Sequence, residues 1–248
     1  MRSKPGLTAR PDLGTVRLSL PVFMDERRYL AKGEVQVKRV VLAGVLSCAL
    51  LSPGMSHAQA FGQFGGAQPL PLNGHLAGAY LRMSGSDVSV LGQLRLSLYP
   101  NVDFGFVGGV SRVDVGGVNR TAIKLGADFK TQVAKHSETF PLDLSLGAAL
   151  GIDTAEDFTV LSVGPFAQLS RRVELSNGQS LVPYGGLGFM FARADAGGSN
   201  ATDLSVPLRA GVEYHLQPGA ILLAEVQLAL SDKVNDDFLF TLGVNFPF

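Results

Sequence analysis

The chain has 248 residues, of which 17% are charged; acidic and basic side chains are equal in number, so its formal net charge is zero, and it carries 30 glycines, no tryptophan and one cysteine. Without a basic excess or a clustered Lys/Arg face there is no electrostatic footprint for nucleic acid. Nothing after residue 60 is continuously apolar for the ~20 residues that a membrane-spanning helix needs.

Residues 1 to 37 read as a leader or a misassigned start, with translation beginning at Met24 or at Val37. Lys38 and Arg39 then precede a twelve-residue apolar or small run, Val40 to Leu51, followed by Ser52, Pro53 and Gly54 and by the small residues around Ala58 and Ala60. A positive start, a short apolar run, a helix breaker and a small-x-small end predict a secretory signal peptide over 38–60, cleaved after Ala60 or, as the alternative, Ala58. Cys48 lies within that run, and bulky Leu46 before it argues against a lipid-attachment site. Once the signal is removed no thiol remains, so disulfides, thiolate nucleophiles and Cys-ligated zinc are excluded together.

Residues 61–73 (FGQFGGAQPLPLN) carry no alternation and are expected to form a short periplasmic N-terminal tail. From 74 to 248 alternating runs recur between turn signals. They predict strands near 74–83, 87–99, 102–114, 120–133, 140–152, 158–173, 180–193, 203–216, 220–230 and 237–248. The expected fold is all-β, a closed antiparallel transmembrane β-barrel of about ten strands; merging two weak strands would give eight. Leu142, Leu144, Leu146, Ala148, Leu150 and Ile152 share one face of their strand, against Asp143, Ser145, Gly147, Ala149 and Gly151. Leu222, Ala224, Val226, Leu228 and Leu230 oppose Ile221, Leu223, Glu225, Gln227 and Ala229 in the same way. A soluble barrel of lipocalin type also alternates, but its outer face should be dense in Lys and Glu. Here the less apolar face is Gly, Ala and Ser with single charges, which suits a narrow lumen.

The last strand is the most regular. Phe238, Phe240, Leu242, Val244, Phe246 and the terminal Phe248 occupy every second position. A closing strand of this pattern ending in Phe resembles the C-terminal strand of small bacterial outer-membrane β-barrel proteins, similar to the barrel domain of outer membrane protein A. The resemblance implies an integral outer-membrane location, contact with outer-membrane lipid, passage with periplasmic chaperones, and a terminal strand read by the barrel assembly machinery.

With both ends in the periplasm, the links near 84–86, 115–119, 153–157, 194–202 and 231–236 would face outside, and none is long. His75, His136 and His215 then fall at the periplasmic end, away from the outer loops. No Ser elbow, HExxH or metal-spaced cluster accompanies them, so no catalytic residue, cofactor or metal site is expected. Asp153, Glu156 and Asp157 read as solvated loop carboxylates. Aromatic girdles are expected from Tyr99, Tyr184, Tyr214, Phe104, Phe106, Phe246 and Phe248 at one interface and from Phe189, Phe191 and Phe238 at the other.

Strand parity turns Arg82, Arg95, Lys124, Lys130, Arg172 and Arg209 inward together with Asp103, Asp128, Asp143, Glu213 and Glu225. Single buried charges are costly, so these should pair into a lumen network, with Arg209 and Glu225 at adjacent inward positions of one hairpin. Two functions follow: a structural or envelope-integrity barrel closed by its charges, or a narrow pore for ions or small solutes gated by them. A lipid-modifying enzyme is a third reading without a catalytic constellation.

Overall fold

The computed structural model describes residues 64–248 except 86, 116–117, 157, 197–198, 217–218 and 231–237. The leader, the signal peptide and residues 61–63 of the expected tail lie outside the described residues, as does the link at 231–236. Twelve strand segments follow in order: β1 (His75–Met83), β2 (Asp87–Tyr99), β3 (Val102–Val115), β4 (Val118–Ala134), β5 (Asp143–Ala155), β6 (Phe158–Ser170), β7 (Val173–Glu174), β8 (Ser180–Gly188), β9 (Met190–Ala196), β10 (Ser199–His215), β11 (Ile221–Leu230) and β12 (Phe238–Pro247).

β8 and β9 both pair with β6 on one side and β10 on the other, so they are two halves of one wall strand. β7 is a two-residue flap on β8. Ten wall strands remain, each antiparallel to its neighbours, and β1 pairs with β12 from Leu76↔Pro247 to Met83↔Phe240, which closes the sheet. Closure leaves no edge, the requirement for a sheet in a medium that cannot hydrogen-bond its backbone.

The side chains are sorted opposite to those of a soluble protein. Leu94, Phe106, Val110, Leu125, Leu150, Leu161, Leu208 and Leu242 stand exposed on the outside, whereas Arg82, Arg95, Asp103, Lys124, Asp128, Lys130 and Glu225 are buried inside. Large apolar side chains facing out and charges facing in define a transmembrane β-barrel, not a lipocalin-type one. The predicted strands match these segments closely. At one rim β5 begins only at Asp143 and β6 ends at Ser170, each about three residues short of the prediction, and at the rim away from the chain's C-terminus, here called distal, β5 reaches Ala155 and the β9–β10 hairpin reaches Ala196 and Ser199. There backbone pairing continues past the apolar band among polar residues such as Arg193, Asp195, Asn200 and Thr202, and side-chain alternation no longer marks it.

The wall strand is split at Phe189 for a local reason. Its N–H donates to the Pro165 carbonyl at 3.0 Å, but Pro165 has no N–H to return. Pro207 stands beside Gly188 on the other flank, so a second donor is lost at the same height. Gly164 lets the Phe189 carbonyl approach closely; a Cβ there would overlap that oxygen, whereas one at Gly185 would meet nothing nearer than the Arg209 carbonyl at 3.6 Å. Gly164→Ala is therefore expected to impair assembly and Gly185→Ala to be tolerated. The check is the fraction of each that runs as the compact, heat-modifiable species on unboiled gels; equal fractions would refute the close approach.

Candidate functional site: a filled lumen

The inward faces build three layers. In the distal layer Asp87, at the start of β2, lies 3.3 Å from Arg82 Nη2 and 3.1 Å from Lys124 Nζ, and Lys124 also reaches Asp153 at 3.0 Å. The Ser89 hydroxyl donates to the second Asp87 oxygen at 2.7 Å. In the proximal layer, toward the rim that carries His75 and Phe248, Arg95 grips Asp128 with both terminal nitrogens at 3.2 and 2.8 Å and reaches Asp103 at 2.5 Å. Lys130 stands 3.8 Å from the other Asp103 oxygen. Each layer sets two cations against two carboxylates, the arrangement that offsets desolvation of charge.

Between them the lumen holds an apolar cluster. Phe64, Tyr80, Leu91, Val107, Tyr184 and Leu223 form one buried cluster, with the Phe64 and Tyr80 rings stacked at a centroid distance of 4.1 Å. The two tyrosines direct their polar tips to partners: Tyr80 contacts the side-chain amides of Gln93 (2.8 Å) and Asn245, and Tyr184 donates to Glu225 at 2.8 Å. A phenol donates only one hydrogen, so one amide near Tyr80 presents its NH2 group.

Phe64 reaches this cluster because the segment expected as a tail outside the barrel runs into it. Asn73, in the left-handed conformation at φ 60°, turns the chain from β1 back into the mouth, and its N–H donates to the Ser97 carbonyl at 2.8 Å. Residues 64–70 then lie within the proximal half of the lumen, with Pro71 and Leu72 exposed at its mouth. The N–H groups of Gly66, Ala67 and Leu70 donate to Glu213 (2.6 Å), Ser170 (3.0 Å) and Asp103 (3.2 Å). Ser145 and Lys130 donate to the carbonyls of Ala67 (2.5 Å) and Gly66 (2.7 Å), and Gln168 to that of Gly65 (3.2 Å). Residues 64–70, read from the sequence as part of a tail, thus lie inside the barrel's mouth. A Gly- and Pro-rich stretch makes no strand, yet its backbone groups still need partners, and the lumen side chains supply them.

Arg95, Lys124 and Asp128 sit in the ion-paired layers. Asp143 lies at the proximal end and accepts from Gln68 (2.7 Å), Gln132 (3.0 Å) and the His136 N–H (2.9 Å). Glu213, beside Gly66, is also 3.0 Å from His215 Nε2. The β10–β11 register sets Arg209 opposite Gln227 and Glu225 opposite Gly211, so Arg209 and Glu225 are diagonal neighbours. Arg172 is not inside; it stands exposed at the proximal mouth, 3.5 Å from His215 Nδ1, because β6 ends at Ser170. Asp153, read as a loop carboxylate, is a lumen residue, and two more residues of alternation past Gly151 would have found it. Tyr184, expected in a girdle, is inside. Phe238, Phe240, Leu242, Val244 and Phe246 alternate with the buried Leu239, Thr241 and Asn245, and the Phe248 N–H donates to the His75 carbonyl at 3.0 Å.

No protein-family model matches the chain, and no curated protein matches it closely enough to name a relative. Among solved structures it is similar to the β-domain of the Bordetella autotransporter BrkA, at 14% identity and a TM-score of 0.46 over 71% of this chain and 100% of that one. It is also similar to the N-terminal β-barrel domain of Pseudomonas aeruginosa OprF, at 13% identity and a TM-score of 0.33 over 71% and 98% of the two chains. An outer membrane channel of Pseudomonas putida F1 gives 14% identity and a TM-score of 0.39 over 74% and 98%.

Proposed function

We propose that the chain is an integral protein of a bacterial outer membrane with a structural role in the envelope, its barrel closed and performing no turnover. The observation that carries this reading is the filled lumen: an apolar cluster at mid-height, containing Phe64 and Tyr80, between two neutral ion-paired layers. The outward Leu, Val and Phe residues support contact with lipid, and the alternating strand ending at Phe248 supports recognition by the barrel assembly machinery after escort by periplasmic chaperones. With both barrel ends at the proximal rim, that rim is the periplasmic one.

Planar-bilayer recording of the folded protein tests the proposal, and no discrete steps are expected. The second reading, a narrow pore for ions or small solutes, is favoured by one observation. A cavity of about 250 Å³ lies at the proximal mouth, lined in part by Arg95, Lys130, Arg172 and Glu213. Steps that change when Arg209 or Glu225 is neutralised would establish that pore and overturn the closed barrel.

A further inference from the structure

We infer that the proximal half of the lumen is a binding site for a short, bent peptide segment, occupied in this chain by its own residues 64–70, and that departure of this segment opens the barrel to ions. The inference rests on the closed-barrel reading and says what does the closing.

The wall holds the segment through its backbone. Three N–H groups and four carbonyls of residues 65–70 are met by side chains from β3, β4, β5, β6 and β10, so the contacts come from around the barrel. Backbone recognition of this kind selects a main-chain path, here bent at Gly65 and Ala67, rather than a side-chain sequence. What the site does select is size. Gly65 has φ 149°, a conformation suited to glycine, and a Cβ there would lie 2.9 Å from the Glu213 carboxylate. A Cβ on Gly66 would lie 3.2 Å from the Ser170 Cβ, and Ala67 is wholly buried.

The blocking group is Phe64 at the head of the segment. It contributes one of the rings of the apolar cluster that divides the lumen at mid-height, while the other members of that cluster belong to the wall. A cavity of about 250 Å³ already flanks the segment. Withdrawal of residues 64–70 would join that cavity to the place of Phe64 and leave the lumen charges facing water.

The test uses the protein purified from membranes, in a cysteine-free background carrying Ala67→Cys, with and without Gly65→Val and Gly66→Val. The valines expel the segment without touching the wall. Two readouts are taken on heat-modifiable, folded protein: labelling of the cysteine at 67 by a membrane-impermeant maleimide, and bilayer conductance. The expected result is slow labelling and silence with the glycines, and labelling at least tenfold faster with discrete steps when the valines are present. Labelling that is fast with the glycines in place, or unchanged by the valines, overturns the binding site. Fast labelling of the valine variant without steps overturns the plug while leaving the closed barrel standing. Steps with the glycines in place and the cysteine protected overturn both the plug and the closed-barrel reading.

Discussion

Arg95→Met is expected to lower the stability of the folded barrel by roughly 3–5 kcal/mol, the usual cost of stranding a buried charge by removing its partner. Arg95 makes a bidentate contact with Asp128 and a further one with Asp103, and all three side chains are almost fully buried. Lys130 still faces Asp103 when the guanidinium is gone, but at 3.8 Å it is no replacement for the direct contact, and Asp128 is left without its cation. Arg95→Lys should recover only part of the loss, because a point ammonium cannot span two carboxylates as a planar fork does. Arg193→Met is the matched control. Arg193 and Asp195 are 3.4 Å apart but largely in water, and such pairs contribute about 0–1 kcal/mol. Urea unfolding of the micelle-bound proteins measures the difference. Coincident midpoints for the Arg95 and Arg193 variants would show that the proximal layer does not hold the barrel together.

Leu150→Arg is expected to cost about 2–4 kcal/mol, the range for a cation on the lipid face near the bilayer midplane. Leu150 is exposed to the outside near the middle of β5, opposite Ala127 on one side and Val163 on the other. Tyr99→Arg places the same charge on the same outer surface, but at the proximal rim where β2 ends, and there the cost should fall to about 0–1 kcal/mol. The comparison reads depth directly. Equal penalties at the two positions, measured by unfolding in lipid vesicles, would mean that Leu150 does not face hydrocarbon.

The wall was legible because lipid and lumen demand opposite chemistry from successive residues. Leu144 to Ile152 and Leu222 to Leu230 show it without ambiguity, and both segments lie in the structure with the expected faces outward. Legibility failed where that demand is absent. Over residues 181–189 both parities are partly apolar, Val182 and Tyr184 on one and Leu181, Leu187 and Phe189 on the other, so alternation does not say which is inside, and Tyr184 turns into the lumen rather than the girdle. The split at Phe189 depends on two prolines that are distant in sequence and become neighbours only through the register. Residues 64–70 were unreadable for a different reason: they are held by hydrogen bonds to their backbone, which leave no pattern in side-chain type. Parity turns most of the lumen charges inward, but it omits Asp87 and Asp153, includes the exposed Arg172, and does not give the pairing. Lys124 stands directly opposite Asp153 in the β4–β5 register, but its other partner, Asp87, lies two strands away on β2, a contact that adjacent-strand register alone does not give.

The two ion-paired layers draw every member from β1 to β5. Four cations and four carboxylates of these layers therefore meet within the first half of the sheet, while Asp143 of β5 is held by amide and backbone donors instead. The second half brings Pro165 and Pro207, and with them a gap in its hydrogen-bond ladder. The molecule thus divides into a half, β1 to β5, that holds both ion-paired layers and a half, β6 to β12, whose ladder is interrupted, and the β1–β12 pair is the seam that joins them.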